Sequence, residues 1–336
     1  MTHPPTDSHY WVGIDTHSQF HQIVVLDDHG HHVADYKTPT DPDAITRAVA
    51  WITSYAPTQA GIEGTNSYGA QITRQLLNTG IDVKEVSAPN KVTRRRQGKS
   101  DLIDAIAAAD AVRTGQRVSP VKNLTILPRL RVMYTFRASA VTARTQIANQ
   151  IHAAARALQV PITGSLTRRK VTTLLTHPAL ARAATRRLSL DDEARSYDRD
   201  ILAWLRQWAP QLLAHYGVGP ISAARLVLTA GGNPERLSND AAFARLTGAA
   251  PIPCSSGKHQ NNWRLDRGGD RAANAALHMI AFHRKNNPSD ERTQAYIKKR
   301  TALGNDTKKI LRLLKRAIIR ELLPDLRTIT TTLTTT

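Results

Sequence analysis

The chain has 336 residues, 46 Lys plus Arg against 27 Asp plus Glu, and a formal net charge of +19. Hydrophobic residues at 41% exclude a wholly disordered chain, and aromatics at 5% exclude a fold built on large aromatic clusters. One cysteine, Cys254, excludes an internal disulfide framework and a Cys-rich zinc site. No apolar run approaches the ~20 residues of a transmembrane helix, and the opening MTHPPTDSHYW lacks the basic start and apolar core of a signal peptide. The expectation is a cytoplasmic protein with no membrane partner. A pI near 10.5 points to a polyanion, most often nucleic acid. Arg outnumbers Lys 33 to 13, which suits bidentate phosphate contacts, although a GC-rich genome produces the same bias.

In chain order, residues 1–115 read as an α/β domain. Apolar runs at Tyr10–Asp15 and Phe20–Leu26 predict two strands, and Asp28-His29-Gly30 is a hairpin turn into a third, His32–Tyr36. Asp41–Trp51 is helical with Thr40 or Asp41 as cap. Gln59–Glu63 is a strand, Tyr68–Leu77 a helix ending near Gly80, and Ile81–Val86 a fifth strand. This order suggests a mixed sheet flanked by helices. A basic stretch, Lys91–Lys99, holds Arg94-Arg95-Arg96. Ser100 then caps a helix over Asp101–Arg113.

Residues 116–215 form a helical middle. It contains a long helix over Leu124–Leu158, ended by Pro161 and Gly164, and further helices at Leu166–Thr176 and Leu190–His215. It reads as a coiled-coil-like spacer or oligomerisation arm, without a continuous heptad. Gly217-Val218-Gly219 opens a mostly helical segment, 216–326, with helices at Ile221–Thr229, Ala241–Leu246, Arg271–Arg284, Asp290–Lys298 and Thr307–Leu323 and a polar loop from Pro251 to Asp270. The Thr-rich end, 327–336, has no apolar period and is expected to be disordered.

Four carboxylates sit where a metal site needs them. Asp15 ends the first strand in VGIDTH, and Glu63 ends the fourth in AGIEGTNSYG. Asp101 and Asp104 share one face of a helix start in KSDLIDA. Taken singly, each fits a turn cap, a solvated strand end or a helix-dipole contact. Jointly they describe an oxygen-rich site for Mg²⁺ or Mn²⁺, since a carboxylate at the end of a buried strand is costly unless it meets a cation. A Ser pair beside Gly257 reads, by itself, as a turn or cap. Gly217-Val218-Gly219 before a helix fits either a helix-hairpin-helix phosphate turn or a plain glycine connection.

The segments VGIDTH, GIEGTNSYG and KSDLIDAIAAA resemble the DEDD motif of bacterial insertion-sequence transposases of insertion sequence family 110. GVGPISAARLVLTAGG, FARLTGAAPIPCSSGKH, RLDRGGDRAANAALHMIAFHR and KRTALGNDTKKILRLLKRAII resemble the second domain of the same family, so the resemblance spans about Tyr10 to Leu323. It implies a ribonuclease H-like (RuvC-like) first domain, 1–115, a helical middle, 116–215, and a C-terminal transposase domain, 216–326. It carries the DEDD residues over to Asp15, Glu63, Asp101 and Asp104, and the nucleophilic serine to Ser256 in Cys254-Ser255-Ser256-Gly257.

The activity implied is RNA-guided DNA recombination. Ser256 attacks a DNA phosphodiester and the DEDD carboxylates bind the metal, the two domains supplying one composite site. Implied partners are donor and target DNA duplexes, a structured bridge RNA that reads sequence by pairing, and further copies of the chain as a dimer of dimers at the bacterial nucleoid. Arg264, Arg267 and Arg271 flank the serine loop and are expected to hold phosphates. Arg94, Arg95 and Arg96, with the groups Lys298–Arg300, Lys308–Lys309 and Lys315–Arg316, are expected backbone contacts, and Tyr68 and Trp263 fit either base stacking or packing. Alternative readings are a metal-dependent, structure-specific endonuclease that uses water and a non-catalytic basic nucleic-acid-binding protein.

Overall fold

The computed structural model describes residues 9–87, 100–121, 126–231, 234–253, 263–265 and 268–335. They divide into two compact units, Met1–Leu124 and Thr125–Thr336.

The first unit contains β1 (Trp11–Thr16), β2 (Phe20–Leu26), β3 (His32–Pro39), α1 (Pro42–Thr53), β4 (Gln59–Ile62), α2 (Ala70–Asn78), β5 (Val83–Val86), α3 (Asp101–Thr114) and β6 (Val118–Pro120). The sheet order is β3-β2-β1-β4-β5-β6. β1, β4 and β5 run parallel, and β2 and β6 run antiparallel to their neighbours β1 and β5. Strands buried on both faces read as apolar runs rather than alternating ones, and IVVL at the end of β2 is buried throughout. Val12 and Ile14 of β1 join Ile23, Val25, Ile45, Ile52, Ile62, Ile72 and Leu76 in the core beneath α1 and α2. The period-2 alternation of a strand then turns Gly13 and Asp15 to the opposite face, where α3 lies.

That second interface is built from small residues. Gly13 and Gly61 are register partners on β1 and β4, and α3 crosses them with Ala105, Ala108 and Ala109. A Cβ on Gly13 would stand 2.0 Å from the Ala105 carbonyl oxygen, and one on Gly61 2.5 Å from that of Ala108. Glycine here lets the helix backbone touch the sheet, and this sets where the first turn of α3 lies relative to the end of β1. Gly61→Val is therefore expected to destabilise the protein by about 3 kcal/mol through overpacking. Denaturant unfolding measures this, and a loss under 1 kcal/mol would mean that α3 is free to move outward.

The second unit contains α4 (Ile126–Ala157), α5 (Arg168–Thr173), a 3₁₀ turn (Leu174–Thr176), α6 (Ala181–Trp208), α7 (Pro210–Ala214), α8 (Pro220–Ala230), a second 3₁₀ turn (Pro234–Leu237) and α9 (Asp240–Leu246). β7 (Pro251–Pro253), β8 (Trp263–Leu265), α10 (Arg271–Lys285), α11 (Glu291–Ala302) and α12 (Thr307–Thr335) follow. α4 and α6 form a long antiparallel hairpin. Its base packs Leu127, Leu130, Ile201 and Leu205 into the main core with α8, α10 and α12. Its far end has a small core of its own, from Ile147, Ile151, Val171, Leu174, Leu180 and Ala184.

Four sequence expectations change. The helix expected over Leu190–His215 starts earlier, at Ala181, and ends at Trp208, because Ala209 leaves helical geometry and Pro210 starts the new helix α7. The expected loop Pro251–Asp270 contains the antiparallel β7–β8 ribbon. β6 was not expected. The end of the chain, expected to be disordered over 327–336, is helical to Thr335. Pro324 inside α12 costs about 3 kcal/mol. Beyond it Leu326, Ile329 and Leu333 are buried in the main core, and full burial of one such side chain contributes about 1.5–3 kcal/mol, so continuation of the helix wins.

Candidate functional site

Asp15 is the penultimate residue of β1, on the face that α3 covers, and is only 8% exposed. α3 begins at Ser100, whose hydroxyl accepts the Ile103 backbone N–H at 3.2 Å. The acids Asp101 and Asp104 in the first turn are favoured by the helix dipole. Between the two elements stands His17. Its Nε2 lies 3.0 Å from Asp15 Oδ2 and 3.2 Å from Asp101 Oδ1. The ligand atoms of Asp15, His17 and Asp101 all fall within 4.8 Å of one another. Burial pushes the Asp15 carboxyl above its usual range; the charges of Asp104 and Asp101 push the same way, and His17 opposes them.

Glu63 follows β4. Its backbone N–H donates to Ile14 O at 3.3 Å, and the Thr16 hydroxyl donates to Glu63 O at 2.7 Å. The Glu63 side chain is half-buried. The structure thus brings Asp15 and Asp101 together directly, sets Asp104 within charge range of Asp15, and ends the neighbouring parallel strand with Glu63. The donor set, hard carboxylate oxygens with one imidazole, fits a divalent cation. A buried carboxylate held among like charges is the kind of group such an ion would stabilise.

Sequence reasoning missed two members of this region. His17 carried a signal, since it lies two residues past Asp15, just beyond the end of β1. Glu85 carried none. From β5 it accepts the Gly64 N–H at 3.3 Å, the Thr65 N–H at 3.1 Å and the Thr65 hydroxyl, which pins the turn that follows Glu63.

Ser256, with Cys254, Ser255 and His259, lies outside the described residues, in the segment that joins β7 to β8. Arg94–Arg96 and Arg267 also lie outside them. Arg264 is in β8 opposite Ile252, and Arg271 is the exposed first residue of α10. The segments flanking the ribbon are closely packed and hydrogen-bonded. A Cβ on Gly269 would stand 2.2 Å from Gly248 N, so the two chain segments cross backbone to backbone. Asn274 donates to Thr247 O at 3.1 Å and Gly248 O at 2.7 Å, and accepts from Lys315 Nζ at 2.7 Å. Asp270 caps α10 and also accepts from Arg225 at 2.5 Å and from the Thr229 hydroxyl at 2.8 Å. Burial alone would raise the Asp270 carboxyl, but these donors hold it below its usual range.

Lys315 and Arg316 do not sit as the expected surface contacts. Lys315 is 7% exposed, and Arg316 pairs with Asp240 at 2.9 Å. The Gly217-Val218-Gly219 turn joins α7 to α8, with Gly217 at φ +74° and Gly219 as the cap of α8. A shallow groove of about 770 Å³ opens beside it, lined by Tyr216, His283, Asn286 and Asn287.

A transposase family model of the DEDD type matches residues 12–159, and a second, described as a transposase of the IS116/IS110/IS902 family, matches residues 209–298. The first span contains Asp15, Glu63, Asp101 and Asp104, and the second contains Ser256. An uncharacterized 42 kDa protein of insertion element IS900 from Mycobacterium paratuberculosis is 23% identical over 377 aligned positions, covering 92% of this chain and 93% of the relative. Among the described residues no helix is long and apolar enough to cross a membrane.

Proposed function

We propose that the chain, whose residues 12–159 and 209–298 match transposase family models of the IS110 type, is an RNA-guided DNA recombinase whose metal-holding carboxylates and nucleophilic serine come from different domains. The observation that carries this reading is the meeting of Asp15, His17 and Asp101 at the end of the central strand. The sheet order, an antiparallel meander joined through β1 to parallel β4 and β5, supports the ribonuclease H-like assignment of that domain. Asp15, Glu63, Asp101 and Asp104, with His17 beside them, would hold Mg²⁺ or Mn²⁺. A bound ion supplies Lewis-acid neutralisation of phosphate charge.

The Ser256 hydroxyl attacks a DNA phosphorus. The serine O–P bond forms, the bond to the strand's 3′ oxygen breaks, and the serine proton ends on the released 3′ hydroxyl. A 3′ hydroxyl of another strand then attacks the phosphoserine and restores the serine. Each step exchanges one phosphodiester for another, so the sequence requires no hydrolysis. Arg264, Arg267 and Arg271 hold the phosphates on either side, Arg94–Arg96 and the Gly217–Gly219 turn grip backbone, and pairing with a structured bridge RNA selects donor and target. Joining two duplexes fits a dimer of dimers.

The test is incubation of purified protein with its element's RNA and both DNAs. Wild type is expected to give recombinant product and a denaturation-resistant protein–DNA adduct. Ser256→Ala should lower both by at least about 10³-fold while nucleic-acid binding persists. Undiminished cleavage by that variant would establish the water-dependent endonuclease instead.

A further inference from the structure

Between Arg137 and Arg195 the chain carries ten Lys or Arg and three acids, all three in Asp191-Asp192-Glu193. At the far end of the α4–α6 hairpin four guanidinium groups converge on one buried carboxylate. Arg144 Nη1 is 2.9 Å from Asp191 Oδ1, Arg195 Nη2 3.2 Å from Oδ2, Arg187 Nη1 3.5 Å from Oδ1 and Arg168 Nη1 3.7 Å from Oδ2. Arg168 also reaches both oxygens of Asp192, at 2.5 and 3.1 Å. Arg187, Asp191 and Arg195 lie at i, i+4 and i+8, on one face of α6. Arg144 comes from α4 and Arg168 from the first residue of α5.

The arrangement exceeds what an ion pair needs. Two carboxylates face four guanidiniums, and the surplus sits on a segment fixed by its own small core. Burial would raise the Asp191 carboxyl, but Arg144, Arg195 and Arg187 hold it below its usual range, so it stays charged and orients the arginines around it. Arg187 keeps a buried Nε–H without a hydrogen-bond partner among the described residues. The Arg168 and Arg195 side chains are 44% and 56% exposed. All of these residues but Arg144 lie between the two matched family domains, which end at 159 and resume at 209.

We propose that Arg168, Arg187 and Arg195, organised by Asp191, form a binding site for phosphodiester groups of a nucleic-acid backbone. Guanidinium donors fit the paired non-bridging oxygens of a phosphodiester, and the two excess positive charges match incoming anions. The site gives the helical middle a nucleic-acid contact of its own. It rests on the reading of the chain as a nucleic-acid enzyme.

The experiment measures binding of the full chain to an RNA hairpin, a DNA duplex and single-stranded DNA across a salt series. The pair Arg168→Gln/Arg195→Gln is compared with wild type and with a charge-matched control, Arg131→Gln/Arg206→Gln. The cluster pair is expected to weaken binding and to flatten the slope of log K against log salt by about 1 to 2. Loss confined to the hairpin assigns the phosphates to RNA, and loss on the duplex assigns them to DNA. Should the Gln pair unfold, Arg168→Lys/Arg195→Lys keeps the charge and loses the bidentate fork; it is expected to weaken binding with the slope retained. Unchanged binding by the cluster variants, an equal loss in the control, or a change only in self-association overturns the proposal. Failure of wild type to bind any of the three overturns the functional reading itself.

Discussion

Asp15→Asn is expected to abolish strand cleavage without weakening the metal-free fold. Asp15 is a buried carboxylate whose protonation is favoured first by burial and then by the charges of Asp104 and Asp101. Without a cation, its negative charge is a liability, offset among the described residues by His17 at 3.0 Å. Asparagine keeps the shape and the side-chain oxygen but removes the charge, so the unloaded protein should unfold no earlier than wild type. The ion loses one anionic ligand from a site that already has an excess of acids. Lewis-acid stabilisation of a phosphoryl-transfer transition state is worth several kcal/mol; a loss of about 4 kcal/mol is roughly 10³-fold in rate. The discriminating readout needs no activity: Mn²⁺ should raise the Tm of wild type by binding only the folded state and leave the Tm of the variant in place. A variant that cleaves normally, or whose Tm still rises with Mn²⁺, would mean that Asp15 holds no ion.

The first domain was readable because its local and global signals agree. VGID alternates so that Val12 and Ile14 enter one core while Gly13 and Asp15 face α3, and the Ser100 cap fixes where Asp101 and Asp104 begin. The approach that brings them to Asp15 depends on Gly13 meeting Gly61 across two strands, and no local pattern reveals that register. β6 has three residues, too few to show a period. The β7 strand hides behind Pro251 and Pro253, which read as loop; a two-stranded ribbon tolerates them because each strand has a free edge. Glu85 and Lys315 matter through partners 20 and 41 residues away. The Asp191 cluster draws on three separate helices, so its arginines look like solvated faces when read one helix at a time. Glu85, Lys315 and the Asp191 cluster were missed because their deciding contacts are long-range.

Glu321→Gln is expected to cost about 3–5 kcal/mol, the largest stability effect of any single substitution at a polar residue described above. Arg284 is 7% exposed and uses three N–H groups: Nε to Tyr216 O at 2.8 Å, and Nη1 and Nη2 to the two Glu321 oxygens at 2.8 and 2.7 Å. His215 sits between acids, Nδ1 3.0 Å from Glu321 and Nε2 2.5 Å from Asp325. The group clamps the turn that leads into Gly217-Val218-Gly219 onto α10 and α12. Gln preserves the shape but leaves the buried guanidinium without a counter-charge, which is where the cost arises. The hydrogen bonds from Arg284, working against burial, lower the Glu321 carboxyl from its ordinary 4.5 to about 2. A depressed folded value means that its contribution is complete above pH 4.5 and is lost as pH falls toward 2, about 3 kcal/mol in all. Other carboxylates titrate over the same range, so the informative quantity is the gap in unfolding free energy between wild type and variant. That gap should be full at pH 7 and shrink on acidification. Adding Arg284→Met to the variant should recover part of the loss, because removing both partners leaves no buried charge unpaired. A gap under 1 kcal/mol at pH 7, or one that does not shrink in acid, would show that solvent screens the pair. The turn before α8 would then rest on its remaining contacts, the His215–Asp325 pair and the Val218 N–H to His215 O bond among them.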